Sequence, residues 1–149
     1  MKINNRKFRR DYSEIEKYEV GIALTGAEVK SVRAGRIRLD DSFVKILGSE
    51  VYLINAEISV YEYARPQGYD SRRTRKLLLH KKEIIRLKTK MAGSGGLAIV
   101  PVSCYNKDSL IKLEIALARG RKSLEKRKLE KKRDIVLDEK RVAKEYMKQ

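Results

Sequence analysis

The sequence predicts a mainly β protein: a small, closed or nearly closed antiparallel barrel with short flanking helices and a basic C-terminal tail. Three observations predict it. Apolar residues recur with a two-residue period in several short runs, as they must where a strand buries one face. Two pairs of such runs are separated by short polar stretches, the pattern of β-hairpins. Basic charge gathers in residues 119–149, where 13 Lys and Arg meet 6 Asp and Glu, with no Gly beyond Gly120 and no Pro.

The elements follow in order. Val20, Ile22 and Leu24 alternate with Gly21 and Ala23, a half-buried strand. Thr25-Gly26-Ala27-Glu28 then fits the capping box, in which two side chains satisfy free backbone donors at a helix start. Gly35 is a natural stop, so the spacing predicts a two-turn helix over residues 26–34. Residues 42–47 and 51–58 are apolar, β-branched runs around Gly48-Ser49-Glu50 and read as a hairpin.

Between residues 59 and 74 the pattern dissolves into Tyr, Arg, Pro66 and Gly68. This is a long loop, and such loops in compact domains are often functional. Residues 81–91 have helical spacing, with Ile84, Leu87 and Met91 on one face, and Gly93-Ser94-Gly95-Gly96 ends the helix. Residues 97–105 and 110–118 form a second hairpin across Asn106-Lys107-Asp108-Ser109. At least five strands and two short helices suit a barrel, because closure protects strand edges. The body ends near Ala118, which gives a domain over residues 1–120 and a tail over residues 121–149.

Charge narrows the function. The 149 residues carry a net +16, and self-repulsion at that level makes a polyanionic partner the natural counterweight. No apolar run approaches the ~20 residues of a spanning helix, and residues 1–11 lack the hydrophobic core of a signal peptide. A cytoplasmic setting without a membrane partner is expected. Cys104 is the only cysteine, so neither an internal disulfide nor a cysteine-clustered zinc site can form, and its apolar surroundings predict a buried structural thiol.

Enzyme chemistry lacks its parts. His80 is the only histidine, and Cys104 has no evident partner. The glycine-rich stretch at residues 93–96 resembles a phosphate cradle, but no Gly-Lys-Ser/Thr follows, so it reads as a connector. Asp40 and Asp41 precede a strand and suit turn or capping roles. No catalytic residue, metal or cofactor is expected.

Binding chemistry is plentiful. Asn5, Arg6 and Lys7, with Arg9 and Arg10, make a basic N-terminal arm suited to phosphate. Arg65, Arg72, Arg73, Arg75 and Lys76 interleave with Tyr61, Tyr63 and Tyr69, a pairing that holds a phosphate backbone while stacking on unpaired bases. Those tyrosines could equally seal the rim of the core. Arg119, Arg121, Lys122, Lys126, Arg127 and Lys128 open the tail.

Glu28 lies beside Lys30, Arg33 and Arg36. Its first expected job is the helix cap, and its second is accepting a hydrogen bond from a base amino group. The two roles compete for one carboxylate. On this reading Glu28→Gln would cost the fold only about a kcal/mol or less, the scale of a cap.

The run from Val20 to Gly35, Val-Gly-Ile-Ala-Leu-Thr-Gly-Ala-Glu-Val-Lys-Ser-Val-Arg-Ala-Gly, resembles the signature of the small protein B (SsrA-binding protein) family. Asp41-Ser42-Phe43-Val44, Thr74-Arg75-Lys76-Leu77-Leu78-Leu79-His80 and Ala116-Leu117-Ala118-Arg119-Gly120-Arg121-Lys122 continue it in the family's order. The resemblance implies an oligonucleotide-binding-type barrel. It implies binding to the tRNA-like domain of transfer-messenger RNA and delivery of that RNA to ribosomes stalled on messages without a stop codon.

By the same resemblance the protein is not an enzyme, and its tail enters the empty message channel near the decoding centre of the small subunit. Asn5 and Glu28 match RNA-contacting positions, and Arg10 stands where many members have histidine, so a phosphate contact is its expected replacement. Lys122 lies in the matching basic turn. Glu125-Lys126-Arg127, with Lys128 after it, matches an Asp-Lys-Arg tail motif with one methylene added. The tail is expected to be disordered alone and helical on the ribosome. The competing readings are a generic basic ribosome-associated protein that binds structured RNA, and an RNA-processing enzyme.

Overall fold

Strand pairing decides the architecture. The computed structural model describes residues 1–63 and 68–147. Its elements run β1 (Lys2–Asn4), α1 (Phe8–Asp11), β2 (Tyr12–Ile22), α2 (Gly26–Arg33), β3 (Ile37–Arg38), β4 (Phe43–Leu47) and β5 (Glu50–Ile54). They continue with β6 (Glu57–Ile58), β7 (Arg75–Leu78), α3 (Lys81–Gly93), β8 (Leu97–Lys107), β9 (Leu110–Gly120) and α4 (Ser123–Met147).

Six strands form a closed ring of antiparallel pairs, β8-β4-β5-β7-β2-β9 and back to β8. This is the mainly β, antiparallel barrel that the alternation predicts. One seam is thin: β4 meets β8 only where Val44 faces Ile99. Beyond it, β1 takes over the same edge of β8, at residues 103–105.

The inner face of the ring carries the core. Val20, Val44, Val51, Leu53, Leu77, Ile99, Leu113, Ile115 and Leu117 pack in one buried cluster. Leu87 of α3 joins that cluster fully buried, with Ile84 and Met91 partly buried against it, which is the helical face read from the spacing. Cys104 is fully buried, and desolvation pushes its thiol pKa up to about 12. A thiol held neutral by burial is structural, as expected. Outside the barrel, Phe8 of α1 covers Val100, Ala116 and Ala118 in a second small cluster.

α2 forms where the capping box places it. Thr25 Oγ1 accepts from the Glu28 amide at 3.2 Å, and Glu28 Oε1 accepts from the Thr25 amide at 3.0 Å. Gly35 turns the chain out at φ +78°. A Cβ there would meet only the Ile3 side chain at 3.7 Å, an ordinary contact, so the penalty of a larger residue is backbone strain. Gly35→Ala is expected to cost about 1–2 kcal/mol, read as a shift of the urea midpoint at unchanged slope.

Several elements depart from the sequence reading, β1, α1 and β3 being unannounced short ones, and three strands show why. The second strand of the first hairpin stops at Ile54 rather than residue 58, because Asn55 adopts φ +66° and the chain leaves to pair β6 with β3. β2 begins at Tyr12, well before the alternating run, because β9 supplies partners along its whole length. The half-polar start of that strand hides it, and a register shift between Glu14 and Glu16 leaves Ile15 exposed. β7 is a strand that patterning does not announce. Its four residues, Arg75-Lys76-Leu77-Leu78, are strand only because β5 and β2 flank them.

The tail forms α4. Against the rest of the chain it meets α1, and Arg10 Nε lies 3.4 Å from Glu130 Oε1. Ile135, Val136 and Leu137 are about half exposed or more. Among the described residues no helix is long and apolar enough to cross a membrane.

Candidate nucleic-acid interface

Some residues expected at the interface lie inside the fold and shape it. Glu28 is 1% exposed and Arg75 is 0% exposed. Arg75 Nε donates to Glu28 Oε2 at 2.7 Å, and its remaining donors reach the carbonyls of Ala56, Arg73 and Ser71 at 2.9–3.2 Å. Arg73, 44% exposed, donates from Nη2 to Glu28 Oε1 at 2.5 Å.

The two carboxylate oxygens therefore divide the work, Oε1 for the cap and Arg73, Oε2 for Arg75. In the free chain the cap therefore shares the carboxylate with two guanidiniums. Arg75 ties α2, the β6 region and the end of the long loop together with one side chain.

Burial alone would raise the pKa of Glu28, but the Thr25 amide and the two guanidiniums outweigh it and hold the carboxyl below its ordinary 4.5. A carboxyl whose folded pKa lies below its unfolded value stabilises the fold fully above that unfolded value. The stabilisation is lost as pH falls through the folded pKa. Melting of the wild type is expected to acquire an acid-labile component below about pH 4.5 that is missing from Glu28→Gln, read by melting temperature along a pH series.

Asn5 is also a builder. It is buried, its side-chain amide donates to the Pro101 carbonyl at 2.8 Å, and its Oδ1 accepts from the Lys7 amide at 3.1 Å. Pro101 and Val102 sit at a register shift of β8, and the Val102 carbonyl takes the Asn5 amide at 2.8 Å. The bulge thus fixes the arm that carries exposed Arg6, Lys7, Arg9 and Arg10. Lys7 pairs with Asp41 at 2.8 Å, and the Arg6 amide donates to Asp40, so those carboxylates tie down the arm.

Arg121 closes this end, its Nε donating to the Arg9 and Tyr12 carbonyls at 3.1 and 3.2 Å. Exposed Arg119 donates to Ser94 Oγ at 3.1 Å, and Lys122 is exposed beside it in the chain. The structure brings the N-terminal arm and the basic end of β9 together, although they are more than a hundred residues apart in sequence.

A second region lies at the far end of α2. Lys30 and Arg33 sit in its last turn and Arg36 follows. Arg33 reaches the Ser109 carbonyl at 3.1 Å, across a groove of about 340 Å³ lined by Gly21, Leu78, Leu110 and Lys112. Leu78 and Leu110 are more than half exposed, and the sequence reading missed both. Register is the signal: Leu78 faces out because it pairs with Gly21, whose missing side chain leaves it room. Lys76 stands apart, paired with Glu50 at 3.2 Å.

Tyr69 donates to the Ile58 carbonyl at 2.7 Å, which ties its hydroxyl to the rim. Arg65 lies outside the described residues. Glu125, Lys126, Arg127 and Lys128 fall on α4, where Arg127 is exposed and the other three side chains lie outside what the structure describes. Among the described residues no three His, Cys, Asp or Glu are placed to hold a metal.

The family model described as "SmpB protein" matches residues 2–145. The chain belongs to the SmpB family. An SsrA-binding protein of Sulfurihydrogenibium sp. (strain YO3AOP1) is 50% identical over 131 residues, 88% of this chain and 86% of that protein. One from Ligilactobacillus salivarius (strain UCC118) is 45% identical over 142 residues, 95% of this chain and 91% of that protein.

Among solved structures, a chain described under "tmRNA-SmpB: a journey to the center of the bacterial ribosome" matches with a TM-score of 0.67 at 45% identity. That match covers 82% of this chain and 85% of the other. The SmpB relatives thus share nearly the whole length, barrel and tail together.

Proposed function

We propose that this protein binds SsrA RNA, the transfer-messenger RNA, through its tRNA-like domain and delivers it to stalled ribosomes in the cytoplasm. The observation that carries this reading is the 45%-identical solved relative described with tmRNA and the bacterial ribosome. It is a binding role, not a catalytic one. The barrel supplies the RNA-facing surface: Arg6, Arg9, Arg10, Arg119 and Lys122 at one end, and Lys30, Arg33, Arg36, Arg73 and the leucine-lined groove at the other. Exposed leucines between cations suit a folded RNA, whose splayed riboses and bases offer apolar surface next to phosphate.

The tail has a separate task. In the free protein α4 meets α1, and its Arg10–Glu130 ion pair has both partners about half exposed. Such pairs contribute little, and helices that pack few apolar residues are marginal alone. The tail therefore melts in solution and becomes helical in the empty message channel, in place of codon–anticodon pairing, with Lys126, Arg127 and Lys128 against ribosomal RNA.

The test compares affinity for the tRNA-like RNA, an ordinary tRNA and an RNA duplex across a salt series. Affinity is expected to fall steeply with salt for all three, because neutralised phosphates release counterions, with the tRNA-like RNA bound most tightly throughout. Equal affinity for the three would leave only a generic basic RNA-binding protein. Appearance of cleaved or modified RNA would overturn the non-catalytic reading.

A further inference from the structure

Beyond the cationic surface, one small aromatic cluster stands ready for a ligand. Tyr61 and Tyr63 approach edge to face, with ring centroids 5.5 Å apart and planes at 65°. Lys30 Nζ, from the last turn of α2, sits 5.4 Å from the Tyr61 centroid. Tyr61 is half-buried, whereas Tyr63 is 79% exposed. The backbone fixes this neighbourhood, since the Ser59 amide donates to the Arg36 carbonyl at 3.1 Å and brings the start of the loop against the end of α2.

We propose that Tyr63, supported by Tyr61 and Lys30, is a stacking platform for one unpaired nucleobase of the bound RNA. The inference rests on the RNA-binding reading above and assigns it a subsite. Three features select this ligand. An exposed aromatic ring gains when a flat apolar face covers it, and every base has such a face. Tyr61 braces the platform edge to face, and Tyr63 keeps most of its surface exposed. Lys30 is held over the Tyr61 ring with its charge at the platform, where it meets the phosphate next to a stacked base.

Tyr69 does not belong to the platform, because its hydroxyl is spent on the Ile58 carbonyl. A duplex cannot use the site, since its bases already stack on one another. The subsite therefore distinguishes a loop or a strand end from a helix, which the cations alone do not.

The experiment uses the full chain and three variants, Tyr63→Phe, Tyr63→Leu and Lys30→Met. Each is titrated with a single-stranded RNA oligonucleotide, with an RNA duplex, and with tRNA-like RNA carrying 2-aminopurine at its unpaired positions in turn. Tyr63→Leu is expected to weaken single-strand binding by about tenfold while leaving duplex binding unchanged. Tyr63→Phe, which keeps the ring, is expected to bind as the wild type does. Lys30→Met is expected to reduce the salt dependence by about one phosphate contact.

At one position of the tRNA-like RNA, fluorescence quenched by the wild type is expected to return with Tyr63→Leu only. Equal binding of all three RNAs by wild type and Tyr63→Leu, with no such position, overturns the platform and leaves the RNA-binding reading standing. The same holds if Tyr63→Leu loses only association with ribosomes, which would make the ring a protein contact. A wild-type chain with no salt-dependent affinity for any of the RNAs overturns both.

Discussion

Glu28→Gln is expected to destabilise the protein by about 3–5 kcal/mol, the scale of breaking a buried ion pair from one side. The melting temperature should fall on the order of 10 °C. Arg75 is fully buried and loses its only anionic partner among the described residues, while its carbonyl contacts cannot neutralise it. This exceeds by several-fold the cap-sized cost that the sequence reading attaches to Glu28.

Two controls separate the causes. Arg73→Ala should cost about 1 kcal/mol or less, because its guanidinium is 44% exposed and water screens it. Glu28→Gln combined with Arg75→Met should regain much of the loss, since replacing both charges with apolar groups removes the stranded one. If Glu28→Gln melted within a degree or so of the wild type yet lost RNA affinity, the carboxylate would be a direct RNA contact after all.

Truncation after Lys122 is expected to abolish ribosome rescue while leaving RNA binding nearly intact. Every strand lies before that point, β9 ending at Gly120, and Arg121 remains to clamp the Arg9 and Tyr12 carbonyls. The deletion removes the Arg10–Glu130 pair and the light contact with α1, neither of which supports the barrel. Melting should therefore shift little, and affinity for the tRNA-like RNA should fall only by the general attraction of the lost charge.

Peptide transfer on a stalled ribosome should disappear, because the deletion removes the segment proposed to enter the message channel. Circular dichroism of the full chain should show helix content close to that of the truncated one until ribosomal RNA is added. Rescue surviving the deletion, or affinity collapsing with it, would sink this division of labour.

Much of the fold is legible because its signals are local. The capping box, the stop at Gly35, the apolar face of α3 and the β8–β9 hairpin each lie within a few residues of the feature they specify. The basic charge of the tail is legible too, since composition needs no tertiary information to read. What escapes is long-range. β2 is half polar at its start and β7 is only four residues long, and both become strands through partners far along the chain.

The same divide runs through the site. The sequence by itself determined that the protein is a basic, mainly β binder of RNA type, because composition and block order do not depend on packing. It also nominated neighbourhoods that the structure shows to carry exposed cations, the N-terminal arm, the end of α2 and the basic exit of the barrel. Only the tertiary structure decided which charges face water. Glu28 and Arg75 are 47 positions apart and share a buried pair, whereas Leu78, apolar by type, faces out beside Gly21. The reason is physical: a charge can leave water only where its counter-charge is delivered to it, and barrel closure makes that delivery between segments that the sequence keeps apart.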